Sequence, residues 1–450
     1  MSADAPDPAD ATRFLASKTR ESMARQGAAQ VWAEVTALAQ LPGVLDLGQG
    51  WPDFGASEVA RRAAADAIVD SPDPSANQYS VVPGRPELRS AIERYYRATG
   101  TREPGEVLVT TSATEAIYVA IQALCDPGDE IVFLEPFFPW YISHVRTMGG
   151  VPVAVPMAQS PDVDDGGFRL DLDALRAAFG PKTKAFLYNS PHNPTGAVFT
   201  PEEMAAVASL CAEHDVVCLA DEVYERCVFS DASVARMADA PGMRERTLTI
   251  GTSSKLLCLS GWRVGWIAGP PALVAAIRSL HSYTTYCAPT PLQLGVAAAL
   301  ESIADEADAA TRERARDAAS RADDGGGESA RRDAAAKATR GVIAPDDAAK
   351  QMGANADALG AALRDVGLRV CPPRGGYFLV ADVSPLGLTS VEYCRRLAKE
   401  AKVAAVPLDV FFDADKEDFP NVFVRFAVCK RAETIEACAA AIRAHPVRGD

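Results

Sequence analysis

The 450-residue sequence predicts an α/β protein: a mostly parallel sheet covered by helices on both faces, followed in the chain by a smaller α+β unit. Three observations carry this expectation. Short apolar segments rich in β-branched or aromatic residues recur as far as residue 268. Longer stretches of helical character separate them. Apolar and charged residues make up 48% and 23% of the chain, which suits a large buried core and excludes a disordered, collagen-like or disulfide-stapled chain.

Taken in order, residues 1–28 read as a polar N-terminal arm. Pro86, followed by Glu87 and Leu88, has the character of a first helical turn and starts a helix to about residue 97. Strands are expected at 106–111, 131–134, 151–155, 184–189, 216–220, 247–250 and 264–268. Helices are expected at 115–124, 201–213 and 272–280. Residues 301–340 differ in kind, since 31 of these 40 positions are Ala or charged. With so little to bury, they read as two solvated helical pieces around the Gly325–Gly326–Gly327 break, or as a disordered insertion. Beyond residue 344 the small unit shows a helix at 352–366, strands at 369–370, 377–383 and 422–428, and a last helix at 434–445.

A formal net charge of −15 repels phosphate backbones and anionic lipid, so neither nucleic acid nor a membrane surface is an expected partner. No apolar run reaches the roughly 18–20 residues that span a bilayer. The first residues carry Asp4, Asp7, Asp10 and Glu21, unlike a secretory signal or a transit peptide. Ten cysteines are scattered from Cys125 to Cys438 without a C-x-x-C pair, which reads as reduced core residues in a cytoplasmic protein. The five histidines form no metal-binding spacing, and no metal is expected.

Four segments carry chemistry. In TLTIGTSSKLLCLSGWRVGWIAGP (247–270), Lys255 sits among apolar neighbours. Desolvation there disfavours its charge and suits a Schiff-base lysine. Thr252, Ser254 and Arg263 make a phosphate cradle, although a surface loop with one snorkelling lysine fits the same residues. In YNSPHNPTG (188–196), Asn189 and Asn193 are candidates to bond a planar ligand, or belong to an ordinary turn. CLADEVY (218–224) ends an apolar strand in Asp221, where it can pair with a protonated ring nitrogen or cap a helix. TTSATE (110–115) opens a helix at Ser112-Ala113-Thr114, which suits an anion, while Ser112 and Glu115 also have capping-box spacing.

In this order and spacing the segments resemble the class I/II aminotransferases, pyridoxal-phosphate enzymes of fold type I. LDLGQGWPDF (45–54), NQYSVVPGRPELR (77–89), LEPFFPWY (134–141) and YCAPTPLQ (286–293) narrow the resemblance. They are similar to the kynurenine aminotransferase, glutamine transaminase K, cysteine-conjugate β-lyase and methionine aminotransferase group. The resemblance covers residues 30–300 and 346–443, and it implies a seven-stranded sheet in the large domain. It divides the chain into the arm, a small-domain segment at 29–60, a cofactor domain at 61–300, an insertion at 301–345 and a small domain at 346–450.

The resemblance further implies pyridoxal 5'-phosphate carried by Lys255, with Asp221 on the pyridine nitrogen. Asn193 and Tyr224 would bond the ring hydroxyl oxygen, with Asn189 beside them, and Phe138 would stack on the ring. Ser112, Ala113, Thr114, Thr252, Ser254 and Arg263 would hold the phosphate, joined by Tyr79 from a second subunit. Arg425, in FVRFAV, would clamp the substrate carboxylate, assisted by Asn193 and Gly50. Trp32, Trp51, Tyr79 and Tyr286 would line a side-chain pocket with no second arginine. Aromatic or sulfur amino acids, or glutamine, are therefore the expected donors, with a 2-oxo acid as acceptor in a ping-pong reaction. A homodimer follows, because Tyr79 and Tyr286 would have to reach across to the other site. A β-lyase or aminocyclopropane-carboxylate-synthase-like reaction uses the same residues and is the alternative. No G-x-G-x-x-G follows a strand, which disfavours a nicotinamide oxidoreductase.

Overall fold

The β-branched runs of the large unit are buried on both faces, which is why they read as nearly continuous apolar segments. The computed structural model describes residues 15–17, 19, 27–101, 103–159, 167–229, 235–321, 347–413, 415 and 420–449. The elements begin with α1 (Gly27–Ala39), β1 (Leu45–Asp46), α2 (Glu58–Val69) and α3 (Pro86–Ala98). Then come β2 (Glu106–Thr110), α4 (Ser112–Leu124), β3 (Glu130–Glu135), α5 (Trp140–Thr147) and β4 (Val151–Pro156). A short hairpin, β5 (Ala158–Gln159) and β6 (Phe168–Arg169), precedes α6 (Leu172–Ala178), β7 (Thr183–Asn189), α7 (Pro201–Glu213) and β8 (Val217–Asp221). The large unit closes with β9 (Thr247–Thr252), α8 (Ser253–Leu256), β10 (Gly265–Gly269) and α9 (Pro271–Thr284).

The seven strands stand in the order β2-β10-β9-β8-β7-β3-β4. All run parallel except β10, which is antiparallel to both neighbours. Its reversal has a local cause. After β9 the chain makes only the single turn of α8 and a 3-10 turn at Ser260–Trp262, so it returns beside the strand it has just left. Helix α7 begins where the sequence implies, with Pro201 in its first turn and Thr200 and Glu203 forming a capping box. All ten cysteines lack disulfide bonds, and eight of them are buried.

In the charge-rich stretch the helical reading holds for the first piece, whereas that of a merely solvated surface does not. This piece continues an unbroken helix, α10 (Thr290–Arg321), packed on α2 and α3. Its charges are not merely solvated, because Arg94 on α3 pairs with Glu301, Asp305 and Asp308 on α10. The Gly325–Gly327 break and the second piece lie outside the described residues, as does most of the 1–28 arm.

The C-terminal unit adds α11 (Asp347–Asp365), β11 (Arg369–Cys371), β12 (Phe378–Asp382), α12 (Ser390–Glu400), β13 (Val403–Ala404), β14 (Val406–Pro407), β15 (Phe423–Ala427) and α13 (Ala432–Ala444). Its antiparallel sheet has the order β11-β12-β15-β14. The N-terminal residues join this unit: β1 pairs with β13, and Glu34 on α1 bonds Arg395 on α12. Leu47 bridges the two, donating to the Ala404 carbonyl and accepting from the Ala427 N–H. Among the described residues, no helix is long and apolar enough to cross a membrane.

Candidate active site

Strands β2, β3, β7, β8 and β9 all finish at one edge of the sheet, and their carboxyl ends open into a cavity of about 500 Å3. This is where open α/β sheets collect their ligands. From the large unit, Ser112, Ala113, Thr114, Phe138, Asn189, Asn193, Asp221, Tyr224, Thr252, Ser254, Lys255 and Arg263 line it. Trp32, Gly50 and Arg425 line it from the other side. Tyr79 and Tyr286 do not. They lie outside this cavity, both exposed, in an edge-to-face contact at 5.7 Å.

Asp221 is the last residue of β8, so the sheet itself delivers its carboxylate to the cavity floor. Turns rather than a helix follow it, which removes the capping role as an explanation. Tyr141 donates to Oδ2, whereas the buried Oδ1 has no hydrogen-bond partner. Burial pushes this carboxyl up from 3.8 to about 6, and the Tyr141 hydroxyl pulls it the other way. Asn189 ties the floor together: its Nδ2 donates to the Asp221 carbonyl at 2.8 Å, and its Oδ1 accepts from the Asn193 N–H at 2.8 Å.

Lys255 enters the same cavity from the single turn of α8. Its Nζ donates to the Gly50 carbonyl at 2.9 Å and lies 5.1 Å and 5.7 Å from the ring centres of Tyr377 and Tyr224. Burial, abetted by the Arg425 charge, lowers its pKa below the ordinary 10.5. A larger fraction of the amine is therefore neutral and able to act as nucleophile or base.

The anion cradle is built from backbone. Ser112 adopts φ 83°, and no side chain caps α4 at Thr111, so the Ser112–Glu115 capping box does not form. Glu115 instead accepts from the Thr111 N–H, from His281 Nδ1 and from Thr285 Oγ1. The first N–H groups of α4 stay available to a ligand. Thr252 Oγ1 is engaged, donating to the Val264 carbonyl and accepting from the Ser254 N–H. Ser254 Oγ is buried and has no partner. Gly265 lets the cradle sit tight against β10, because a Cβ there would meet Ser112 C at 2.4 Å.

Arg425, on β15, is buried with its guanidinium 3.7 Å from the centre of the Phe378 ring and 4.6 Å from that of Phe411. Nη1 donates to Asn193 Oδ1 at 3.0 Å and Nη2 to the Gly48 carbonyl at 3.1 Å, while Nε has no partner. Among the described residues it makes no ion pair, which leaves a buried cation facing the cavity, ready for an anionic ligand. Burial lowers its pKa to about 9, so it stays charged at neutral pH.

Sequence reasoning did not find Tyr141, Trp140, Phe378 or Tyr377. Trp140 stacks on Phe138 at 5.1 Å, and the Tyr377 hydroxyl bonds the Lys255 carbonyl at 2.9 Å. LEPFFPWY flagged the segment holding Tyr141 and Trp140, but the partner of each ring depends on tertiary contact.

The description "aminotransferase class I and II" fits residues 42–324, well over half of the chain. The chain belongs to that family. This aminotransferase is 37% identical over 426 residues to a probable N-succinyldiaminopimelate aminotransferase of Mycobacterium tuberculosis, covering 92% of this chain and 96% of that protein. It is 32% identical over 450 residues to kynurenine–oxoglutarate transaminase 3 of Rattus norvegicus, covering 95% and 89%. Among solved structures it resembles YbdL of Escherichia coli, described as having a methionine aminotransferase function. That match has a TM-score of 0.74, 29% identity, and coverage of 92% and 96%. The fold is therefore fold type I, and the enzyme uses pyridoxal 5'-phosphate. The cavity fits that cofactor. The unpartnered Oδ1 of Asp221 suits a ring N–H, the open N-terminus of α4 with Arg263 suits a phosphate, and Lys255 lines the same cavity.

Proposed function

We propose that this aminotransferase takes its amino group from an aromatic or sulfur-containing amino acid and passes it to a 2-oxo acid. The observation that carries the reading is the lining of the cavity. Trp32, Trp51, Phe138, Trp140 and Phe378 surround it with rings. Its three cations are all committed, Lys255 to the amine, Arg263 to the phosphate and Arg425 to the α-carboxylate. Nothing else in the lining can neutralise a second carboxylate, so an acidic donor would hold a buried, unpaired charge.

When bound, the cofactor supplies an electrophilic carbon and a protonated ring that withdraws electrons. The chain supplies the rest. Arg425, with Asn193 on one arm of its fork, orients the carboxylate and so presents the Cα–H bond to Lys255. The Lys255 amine, made less basic by burial, removes that proton and returns it. Asp221 holds the ring proton through Oδ1. Asn193 and Tyr224 serve the ring hydroxyl oxygen, and Phe138 covers the ring face. Ser112, Ala113, Thr114, Ser254 and Arg263 hold the phosphate, with Thr252 shaping the turn. Asn189 acts by aligning Asp221 and Asn193.

We extend the proposal to a homodimer in which Tyr79 and Tyr286 complete the partner's site. Their exposure outside their own cavity supports it, as does the φ of 69° at Tyr286, a posture uncommon for a bulky residue. The buried, disulfide-free cysteines support a reducing compartment such as the cytoplasm.

The 37% identity to a probable N-succinyldiaminopimelate aminotransferase favours a second reading, a larger donor of that kind. A donor panel separates them. Methionine or kynurenine should exceed aspartate in kcat/KM by about tenfold or more. If N-succinyldiaminopimelate outruns both, the second reading replaces the first. Release of pyruvate and ammonia from a cysteine conjugate would reveal the lyase.

A further inference from the structure

Asp221 has two carboxylate oxygens in different states. Oδ2 accepts a hydrogen bond from the Tyr141 hydroxyl, and Oδ1 is buried with no partner. Tyr141 is itself 2% exposed, held on α5 by an edge contact with Phe133 and another with Phe138. Its hydroxyl thus has a rigid mount and points at a carboxylate. We propose that Tyr141 is a positioning residue for the cofactor: it occupies Oδ2, so that Oδ1 alone faces the ring nitrogen, and it makes the Asp221 carboxylate a weaker base.

The second effect matters for the chemistry. A carboxylate and a ring nitrogen compete for one proton. A hydrogen bond donated to the carboxylate stabilises its charged form and leaves the proton on the ring. The electron-withdrawing ring must keep that proton to do its work. Burial acts against this, since it favours a neutral Asp221. The other charged or titratable groups facing Asp221 are Lys255 on α8, whose charge favours the ionised form, and Tyr224 after β8. Neither donates a hydrogen bond to the carboxylate. The Val223 backbone N–H and the Tyr141 hydroxyl both oppose burial by direct contact, the hydroxyl more strongly, and Tyr141 is the side chain that does so.

This role rests on the cofactor site and not on the choice of donor. Tyr141→Phe tests it, because it removes one oxygen and keeps the ring contacts. Pyridoxal 5'-phosphate would be titrated into cofactor-free full-length protein from pH 5 to 8, read by quenching of tryptophan fluorescence. Affinity at pH 7 should fall about tenfold, and the loss of affinity on acidification should begin at a higher pH than in the parent. In an Asp221→Asn background the same change should matter less than about twofold, because the hydroxyl would then face a neutral amide. The kcat should fall with the donor KM nearly unchanged. An unshifted pH profile, or an equal loss in both backgrounds, would mean that Tyr141 is only a packing residue and would overturn the inference. Melting of the cofactor-free proteins identifies a variant that has simply lost its fold. In that case Tyr141→His, which keeps a donor, must restore part of the affinity or the inference fails.

Discussion

Replacing Arg425 by lysine keeps the charge and removes the fork. In the parent, one arm of the fork bonds Asn193 Oδ1 at 3.0 Å and the other bonds the Gly48 carbonyl at 3.1 Å. The guanidinium plane lies 3.7 Å from the Phe378 ring centre, which fixes the direction of its remaining N–H groups. A lysine ammonium can offer a carboxylate one point contact but not two parallel ones. A hydrogen bond to a charged group contributes about 1.5–3 kcal/mol. Losing one such bond, with the orientation it enforces, should lower kcat/KM by about 10- to 150-fold. Much of this should appear as a raised donor KM. Cofactor binding should stay within about twofold of the parent, since Arg425 lies apart from the phosphate cradle. Steady-state kinetics with the preferred donor, together with a cofactor titration, measures both. A loss of kcat/KM below about threefold would refute the clamp. So would an equal loss of cofactor affinity, which would make Arg425 a general support of the cavity.

Three further outcomes are expected. Lys255→Ala should lower turnover by more than about a thousandfold while the protein still takes up added cofactor without a covalent bond; a single-turnover assay showing residual exchange near the parent rate would rule out Lys255 as the base. Asp221 titrates near 6 in the fold against 3.8 when unfolded, so the folded state holds a proton that the unfolded chain has already released. The stability of the cofactor-free parent should therefore fall as the pH rises from about 4 to about 6 and stay low above that. Asp221→Asn should remove this dependence, with a gain of up to about 3 kcal/mol at pH 7 and little at pH 4; parallel denaturation curves at both pH values would contradict it. Gly265→Ala would push a Cβ to 2.4 Å from Ser112 C and 2.5 Å from Ala113 N. Backbone cannot yield as a side-chain tip does, so cofactor affinity or stability should drop by about 1–3 kcal/mol, and a variant that matches the parent in both would show that the cradle is not tightly packed.

Much of the large unit was legible because buried parallel strands advertise themselves. The segments around β3, β7, β8 and β9 are almost entirely buried and differ in length and composition from the helices between them. The direction of β10 was not legible, since an antiparallel strand buried on both faces has the same composition as a parallel one. Helix α12 went unnoticed although its buried face, Tyr393, Cys394, Leu397 and Ala398, has helical spacing. The capping box at Ser112 fits the sequence equally well, and fails because Glu115 is drawn to Thr111, His281 and Thr285.

The sequence by itself determined which residues are chemically able to act. Lys255 follows a strand, Asp221 ends one, and Arg425 sits in an apolar run, and the order of these motifs was enough to point to the family. Tertiary structure alone decided what state they are in. Burial depth sets the protonation of Asp221 and Lys255, and it depends on walls contributed by the segment after β1, by β12 and by β15, far away in the chain. The partner of each polar atom is likewise a matter of distance in space. Tyr141 reaches Asp221 across 80 residues and Asn193 reaches Arg425 across 232, separations over which local spacing carries no information.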